Sequence, residues 1–456
     1  MELGFETIGN ASIVCHDRRP ILVTDPWLGG SAYFGSWILS HQVPPEQLEA
    51  IRRCEYVWYS HGHPDHLNAA SFDAIRGAKI LVPDHYGHRI FRDLQAQGLD
   101  VHVVPDRTWT PLSDRIRIQC ISDYNQDAVL LIDIDGCLLI DLNDAHDRGW
   151  DRLVRKIAAG YTRTILLALT GYGDAYMINY HDESGAFIPP VAAQRLPVGP
   201  QIAELTRRFG ARCFVPFSSM HKYQREDSVR MNQYVTRLED YPIGFESSRA
   251  ELLPAFIRYD CRNDTFERID PPENPDLVVS PEEFGDDWHE RLEAAEVEKV
   301  AGYFRSFAHL EEHLDFVTLR VGGRDHVVEL ARRGFRRGIR FEVPRGSLLA
   351  AVEYEVFDDL LIGNFMKTTL HGSWPATQIY PHFEPFVTKY GDNGRARTSE
   401  ELAAYFQAYR RRAPLEYLLH RFEARSREVF RDLIPERSPL YRIAKRSYLG
   451  LKKAYG

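Results

Sequence analysis

Apolar residues in the first half of the chain come in short, nearly continuous runs bounded by Gly, Pro or Asp. SIVCH, PILVTDPW, EYVWYS, AKILVP, VHVVP, RIRIQCIS, AVLLIDID and CLLIDLND follow this pattern and predict strands. Almost nothing but Gly136 separates the last two, which predicts a tight hairpin. Between other runs the apolar spacing changes to three-to-four, in PEQLEAIRR, AASFDAIRG and GHRIFRDLQAQG, the spacing of helices with one buried face. Hairpins and crossovers with interleaved helices predict two mixed sheets covered by helices.

The same alternation continues through a helix (WDRLVRKIAAG), a buried strand (TILLALT), a loop rich in Gly, Tyr and Asp (GYGDAYMINYHDESG), a helix (VGPQIAELTRRFG) and a strand (ARCFVPF). DPPENPDLVVSPEEFGDDW (270–288) is Pro- and acid-rich and reads as a linker. A second unit with strands FVTLRV, DHVVEL and GIRFEVP follows it. The expected organisation is a catalytic domain over 1–245, an extension and linker over 246–290, an α+β accessory domain over 291–395, and a basic helical tail over 396–456.

Composition narrows the class. The chain has 456 residues, net charge −9, 44% apolar and 12% aromatic residues, enough to build real cores. No window approaches the roughly 18 apolar residues of a membrane span, and the opening MELGFETIGN has no basic, then apolar, leader pattern. Mild acidity argues against a nucleic-acid partner. The last 47 residues depart from this, with 13 Lys/Arg against 5 Asp/Glu. That tail is expected either to pack on the acidic body or to meet a membrane surface or acidic partner. Six cysteines stand singly, without a CxxC, CxH or CxxH pair. Buried reduced thiols and a cytoplasmic location are expected.

One motif dominates the chemistry. EYVWYSHGHPDHLN sets His61, His63, Asp65 and His66 on the loop leaving a strand. Three imidazoles and a carboxylate within six residues are costly to crowd together without a cation. His61 and His63 would grip one metal, while Asp65 and His66, turned by Pro64, would face a second. Imidazole with carboxylate suits iron, zinc or manganese. In GYGDAYMINYHDESG, Tyr172, Tyr176 and Asp174 are candidates for substrate contact, the rings by stacking and the carboxylate by hydrogen bonding.

These residues resemble the signature of the metallo-β-lactamase superfamily, whose fold is an αββα sandwich with metals at one edge. The resemblance implies further ligands at later strand ends. The third ligand of the first metal would come from SDYNQDAVLLI, where no His lies and Asp123 or Asp127 must serve. Asp144 would bridge at the end of CLLIDLND, with Asp141 one strand-turn back, and His221 in CFVPFSSMHKY would be the last imidazole. Asp25 would orient the metal loop rather than bind metal. His85, His88, His102, His146 and His181 have no spacing argument and are expected on the surface or behind the ligands.

A narrower resemblance extends through VTDPWLGGSAYFGSW, the metal loop, LLIDLND, RCFVPFSS, DPPE and FDDLLIGNF, in that order. Together these resemble the CMP-N-acetylneuraminic acid hydroxylase family, which implies an iron-dependent oxygenase fed by a Rieske [2Fe–2S] domain. Two departures follow. The chain lacks the CxH and CxxH pairs of a Rieske centre, so electrons would come from a separate ferredoxin or reductase, or from the substrate. The family's third-ligand His is replaced by SDYNQD, and two His with one carboxylate favour iron over zinc or manganese. The expected function is a di-iron, hydroxylase-type oxygenase acting on a small polar metabolite, such as a sugar or nucleotide-linked amide. Asp65 and Asp144 would be its catalytic carboxylates. The alternative is a hydrolase of an ester, lactone, amide or phosphoester using a metal-bound hydroxide.

Overall fold

The computed structural model describes residues 1–173, 177–330, 337–372, 374, 379, 383, 387 and 396–433, without the side chains of 308 and 427–433. Two large sheets face each other. The first runs Thr265–Arg268, Ile257–Asp260, Leu3–Ile8, Ser12–Asp17, Pro20–Thr24, Tyr56–Trp58, Lys79–Pro83, Val101–Val104. The second runs Glu251–Leu252, Cys213–Pro216, Arg163–Ala168, Cys137–Asn143, Ala128–Ile134, Ile116–Ser122, Thr110–Pro111.

Strand alternation explains the layering. Leu130 and Ile132 point inward with Phe5, Ile13, Leu22 and Trp58 of the other sheet. Val129 and Leu131 point outward, where Val154 and Ile202 of the helices Asp151–Ala158 and Gly199–Phe209 cover them. On the opposite side, Val23, Val57 and Ile80 pack under Ile51 and Leu94 of Pro45–Arg52 and Arg89–Ala96. This is the αββα sandwich expected of a metallo-β-lactamase-type chain. Ala128–Ile134 is buried at every position, which is why its run is continuously apolar. It turns into Cys137–Asn143 through Asp135 and Gly136, both with positive φ (49° and 83°), the conformation a two-residue hairpin needs.

The strands between 251 and 268 pair into both sheets, so the sandwich continues beyond residue 245. The Pro- and acid-rich stretch is tied down rather than loose. Asn274 donates its backbone and side-chain N–H to the Ser40 and Leu39 carbonyls, and Val279 bonds Gln224 and Glu226. A Pro-rich segment makes few bonds with itself, so its polar groups turn to the sandwich.

The accessory unit is a five-stranded sheet in the order Tyr180–His181, Lys367–Gly372, Arg337–Glu342, Phe316–Val321, Arg324–Glu329. Its core lies against Ala294–Arg305, Arg345–Tyr354 and Phe357–Ile362. Its edge strand, Tyr180–His181, comes from within 1–245, so the two units interlock. Helices Ser399–Arg412 and Pro414–Leu433 dock on the sandwich, as the packed reading of the tail expects. Glu416 takes two bonds from Arg107 (2.8 and 3.1 Å), Arg412 reaches Asp84 (3.3 Å), and Gln126 donates to the Tyr409 hydroxyl (3.0 Å). The tail beyond residue 433 lies outside the described residues. Among the described residues no helix is long and apolar enough to cross a membrane.

Candidate metal centre

Parallel strands leave the two sheets at one common edge, and their first loop residues converge there. Thr24 leads to Asp25, Trp58 to the HxHxDH loop, Asn143 to Asp144, and Pro216 to Ser218 and His221. Several residues there, Asp25, Tyr33, Phe34, Asn143, Ser218 and Ser219, hold positive φ without being glycine. Such backbone costs on the order of 1–3 kcal/mol per residue and collects where side chains must be aimed.

Asp25 holds the metal loop. Its Oδ1 accepts from the Ser60 N–H (2.8 Å), and its Oδ2 accepts from Asn143 (2.5 Å) and lies 3.4 Å from His66 Nδ1. Within the loop, His61 Nε2 and His63 Nδ1 face each other at 2.9 Å, while Ser60 Oγ lies 2.9 Å from His61 Nδ1. His66 Nε2 lies 3.3 Å from both Asp65 Oδ2 and Asp144 Oδ2. Ligand atoms of His61, His66 and Asp144 fall within 4.8 Å of one another. Asp65 is fastened by Asn10 (2.9 Å) and by the Tyr33 hydroxyl (2.5 Å), and Asp144 by Ser218 Oγ (2.8 Å).

His221 sits on Trp37, ring on ring at 3.4 Å, in the short strand His221–Tyr223. Gly173 lies against it. A Cβ there would come 3.2 Å from His221 Cε1, and the φ of +141° also favours glycine.

The donor set fits divalent metals. Both ring nitrogens of His221 are buried without a hydrogen-bond partner among the described residues, an expensive state unless something else coordinates them. Charge agrees with this. Burial pushes His61 far down, aided by His66 and His63. Burial also opposes charge on His63, yet Asp358, Asp359 and Asp65 outweigh it and raise the ring to about 9. His66 is likewise opposed by burial but raised by Asp65 and Asp144, and those two carboxyls are in turn held low by His66 despite their burial. His221 is pushed down to about 3 by burial, against the pull of Asp65 and Asp144.

Metal ligation needs neutral imidazoles, and neighbouring carboxylates raise both His63 and His66, so a metal held by these rings would displace protons from them. Metal uptake at pH 7 is therefore expected to release protons. Affinity should rise as pH climbs towards 9 and fall below it, by up to about tenfold per unit for each proton released. Calorimetry in two buffers of different ionisation enthalpy measures this, and uptake without proton release would contradict it.

The other candidates are spread more widely. Asp123 and Asp127 close the turn between Ile116–Ser122 and Ala128–Ile134. Asp123 Oδ1 is occupied by the Asn125 N–H (2.7 Å), and burial with Asp127 nearby raises its carboxyl to about 8. Asp127 rises to about 6 through burial and the charge of Asp144, and it also feels His63. Neither falls in the His61–His66–Asp144 group. Asp141 is buried in its strand, with Oδ1 on the Asn143 N–H (3.0 Å). Tyr172 is half-buried on the loop beside His221, its N–H donated to Thr236 Oγ1 (2.7 Å). Asp174 and Tyr176 lie outside the described residues. His85 and His181 are buried, each with its ring pushed down by burial, whereas His146 is exposed. All six cysteines are buried and free.

Sequence reasoning passed over Asn10, Tyr33 and Asp358. His63 Nε2 lies 3.0 Å from Asp358 Oδ2, and His63, Asp358 and Asp359 form a second group of donors within 4.8 Å. Two adjacent carboxylates inside the apolar run FDDLLIGNF were the signal.

No family model matches the chain. It is 27% identical over 151 residues to the cytidine monophosphate-N-acetylneuraminic acid hydroxylase of Sus scrofa, covering 31% of this chain and 34% of that protein. The chain thus spans between about a fifth and a third of the length of the curated relatives it matches. Similar solved structures include the metallo hydrolase Igni18 of Ignicoccus hospitalis, at 14% identity, TM-score 0.35, covering 59% of this chain and 96% of that one. CmlA, a diiron β-hydroxylase from Streptomyces venezuelae, is another, at 15% identity, TM-score 0.36, covering 59% and 54%. The chain is an αββα protein with an HxHxDH donor cluster at its sheet edge, similar over about a third of its length to CMP-N-acetylneuraminic acid hydroxylases.

Proposed function

We propose that the chain is a dinuclear metal-dependent oxygenase of the hydroxylase type, acting on a small polar metabolite such as a sugar or nucleotide-linked amide. The observation that carries this reading is the cluster of His61, His66 and Asp144, with Asp65 3.3 Å from His66 and His63 2.9 Å from His61. Its donors are imidazole nitrogen and carboxylate oxygen, the set that suits iron in oxygen chemistry. Sequence similarity to a hydroxylase supports the reaction class and the kind of substrate.

His61, His63 and a carboxylate of the 123–127 turn would hold one metal, and Asp65, His66 and His221 the other, with Asp144 between them. As iron, the pair would supply the electrons and Lewis acidity for using dioxygen. Tyr33 and Asn10 keep Asp65 aimed at the cluster, Ser218 does so for Asp144, and Asp65 or Asp144 would accept a proton from substrate. Tyr172 would line the substrate side, next to Gly173, which lies against His221. A separate ferredoxin or reductase would deliver electrons, since the sequence contains no CxH or CxxH pair.

Metal analysis of anaerobically prepared protein tests this directly. Near two iron per chain, with oxygen uptake once a reductant is added, is expected. Zinc alone with no uptake, together with hydrolysis of an ester or lactone, would replace the oxygenase with the hydrolase.

A further inference from the structure

We infer that Asp358, from the accessory unit, is the carboxylate that orients the metal ligand His63, so that the metal centre is completed across the boundary between the two units. This rests on His63 being a ligand, as proposed above. An imidazole that binds metal through one nitrogen has a second N–H that must be satisfied, and a carboxylate there fixes the tautomer, the ring plane and the donor strength. His63 has this arrangement. Nδ1 faces His61 Nε2 at 2.9 Å, on the cluster side, and Nε2 lies 3.0 Å from Asp358 Oδ2.

The surroundings make the contact firm. Asp358 is 3% exposed and stands in the short helix Phe357–Ile362, whose Phe357, Leu360 and Leu361 belong to the accessory core. The carboxylate is therefore placed by the packing of a unit almost 300 residues downstream of the ring it meets. The other two loop imidazoles are supported from within the sandwich, His61 by Ser60 and His66 by Asp25. His63 is the member of the loop whose support comes from outside it.

The test uses the full chain loaded with cobalt(II), comparing wild type with Asp358→Ala, Asp358→Asn and Asp358→Glu. Metal affinity is measured by titration, and ligand imidazole N–H protons by their paramagnetically shifted, exchangeable NMR signals. In Asp358→Ala, one shifted N–H signal is expected to vanish into fast exchange and affinity for one of the two metals to fall by roughly 10–100-fold. Asp358→Asn preserves the volume and should lose less, and Asp358→Glu should recover part of the affinity. A merely structural carboxylate would not remove a single imidazole signal while sparing the others. Wild-type affinity with every shifted signal retained in Asp358→Ala overturns the inference alone. So does complete loss of one metal from both Ala and Asn variants with the wild-type N–H signals of the remaining site intact, which would make Asp358 a ligand itself. A wild type that takes up no metal fails the functional reading and the inference with it.

Discussion

Replacing Asp144 with alanine is expected to strip at least one metal from the protein and to lower turnover by far more than the roughly 10–100-fold that loss of a supporting residue costs. Its carboxylate stands where the two halves of the cluster meet. Oδ2 is 3.3 Å from His66 Nε2, and Asp144 shares one 4.8 Å group with His61 and His66. Oδ1 is fixed by Ser218, itself held at a φ of 70°. With its side chain one quarter exposed, Asp144 is the most accessible member of its group with His61 and His66. Removing it takes away negative charge that offsets the His66 imidazolium and an oxygen that both metals would share. Fold should survive, because the strand ahead of it, Cys137–Asn143, is buried at every position and paired on both sides. Metal per chain after dialysis, with circular dichroism as the control, measures the effect. Full occupancy in a folded Asp144→Ala protein would show the ligand map to be wrong.

Most of the sandwich was legible in the sequence because its strands are buried on both faces and so announce themselves as unbroken apolar runs. The HxHxDH loop stood out for a different reason, since its spacing crowds imidazole and carboxylate together, and the fold gathers His61 and His66 with Asp144 at one sheet edge. Less was visible where an element's meaning depends on distant chain. Tyr180–His181 is two residues long and becomes a strand only because Lys367–Gly372 lies beside it. Ile257–Asp260 reads as ordinary polar–apolar alternation and belongs to the sandwich only through its pairing with Leu3–Ile8. Asp123 stands in the right order for a third ligand, yet one of its oxygens closes the turn it sits in. Asp358 could be recognised as an odd charge in an apolar run, but its partner could not, because nothing local records a contact with His63.

Arg225→Met is expected to cost about 3–5 kcal/mol of stability, the range for removing one member of a buried ion pair. The guanidinium is fully buried and uses its donors in three directions. It reaches Asp286 Oδ2 (2.8 Å), both oxygens of Asp227 (2.9 and 3.0 Å) and the Phe34 carbonyl (2.8 Å), and it stacks 3.9 Å from the Phe365 ring centre. Asp286 in turn accepts the Ser347 N–H (2.7 Å) and hydroxyl (2.5 Å) at the start of the accessory helix Arg345–Tyr354. Arg225 therefore joins the sandwich, the strap before the accessory unit and the accessory unit itself. Methionine fills most of the space but leaves the buried Asp286 charge without its cation. The double variant Arg225→Met/Asp286→Asn should be less unstable than Arg225→Met alone, because it removes the stranded charge as well. Denaturant unfolding of the wild type, Arg225→Met, Asp286→Asn and the double variant separates these outcomes, and additive losses would show that the pair is not coupled. A second consequence reaches the metals. Phe34 follows Tyr33, the residue whose hydroxyl fastens Asp65, and both hold positive φ in one tight loop. Releasing the Phe34 carbonyl frees that loop, so metal affinity should fall in Arg225→Met although Arg225 touches no ligand. Unchanged affinity alongside the stability loss would confine Arg225 to the scaffold.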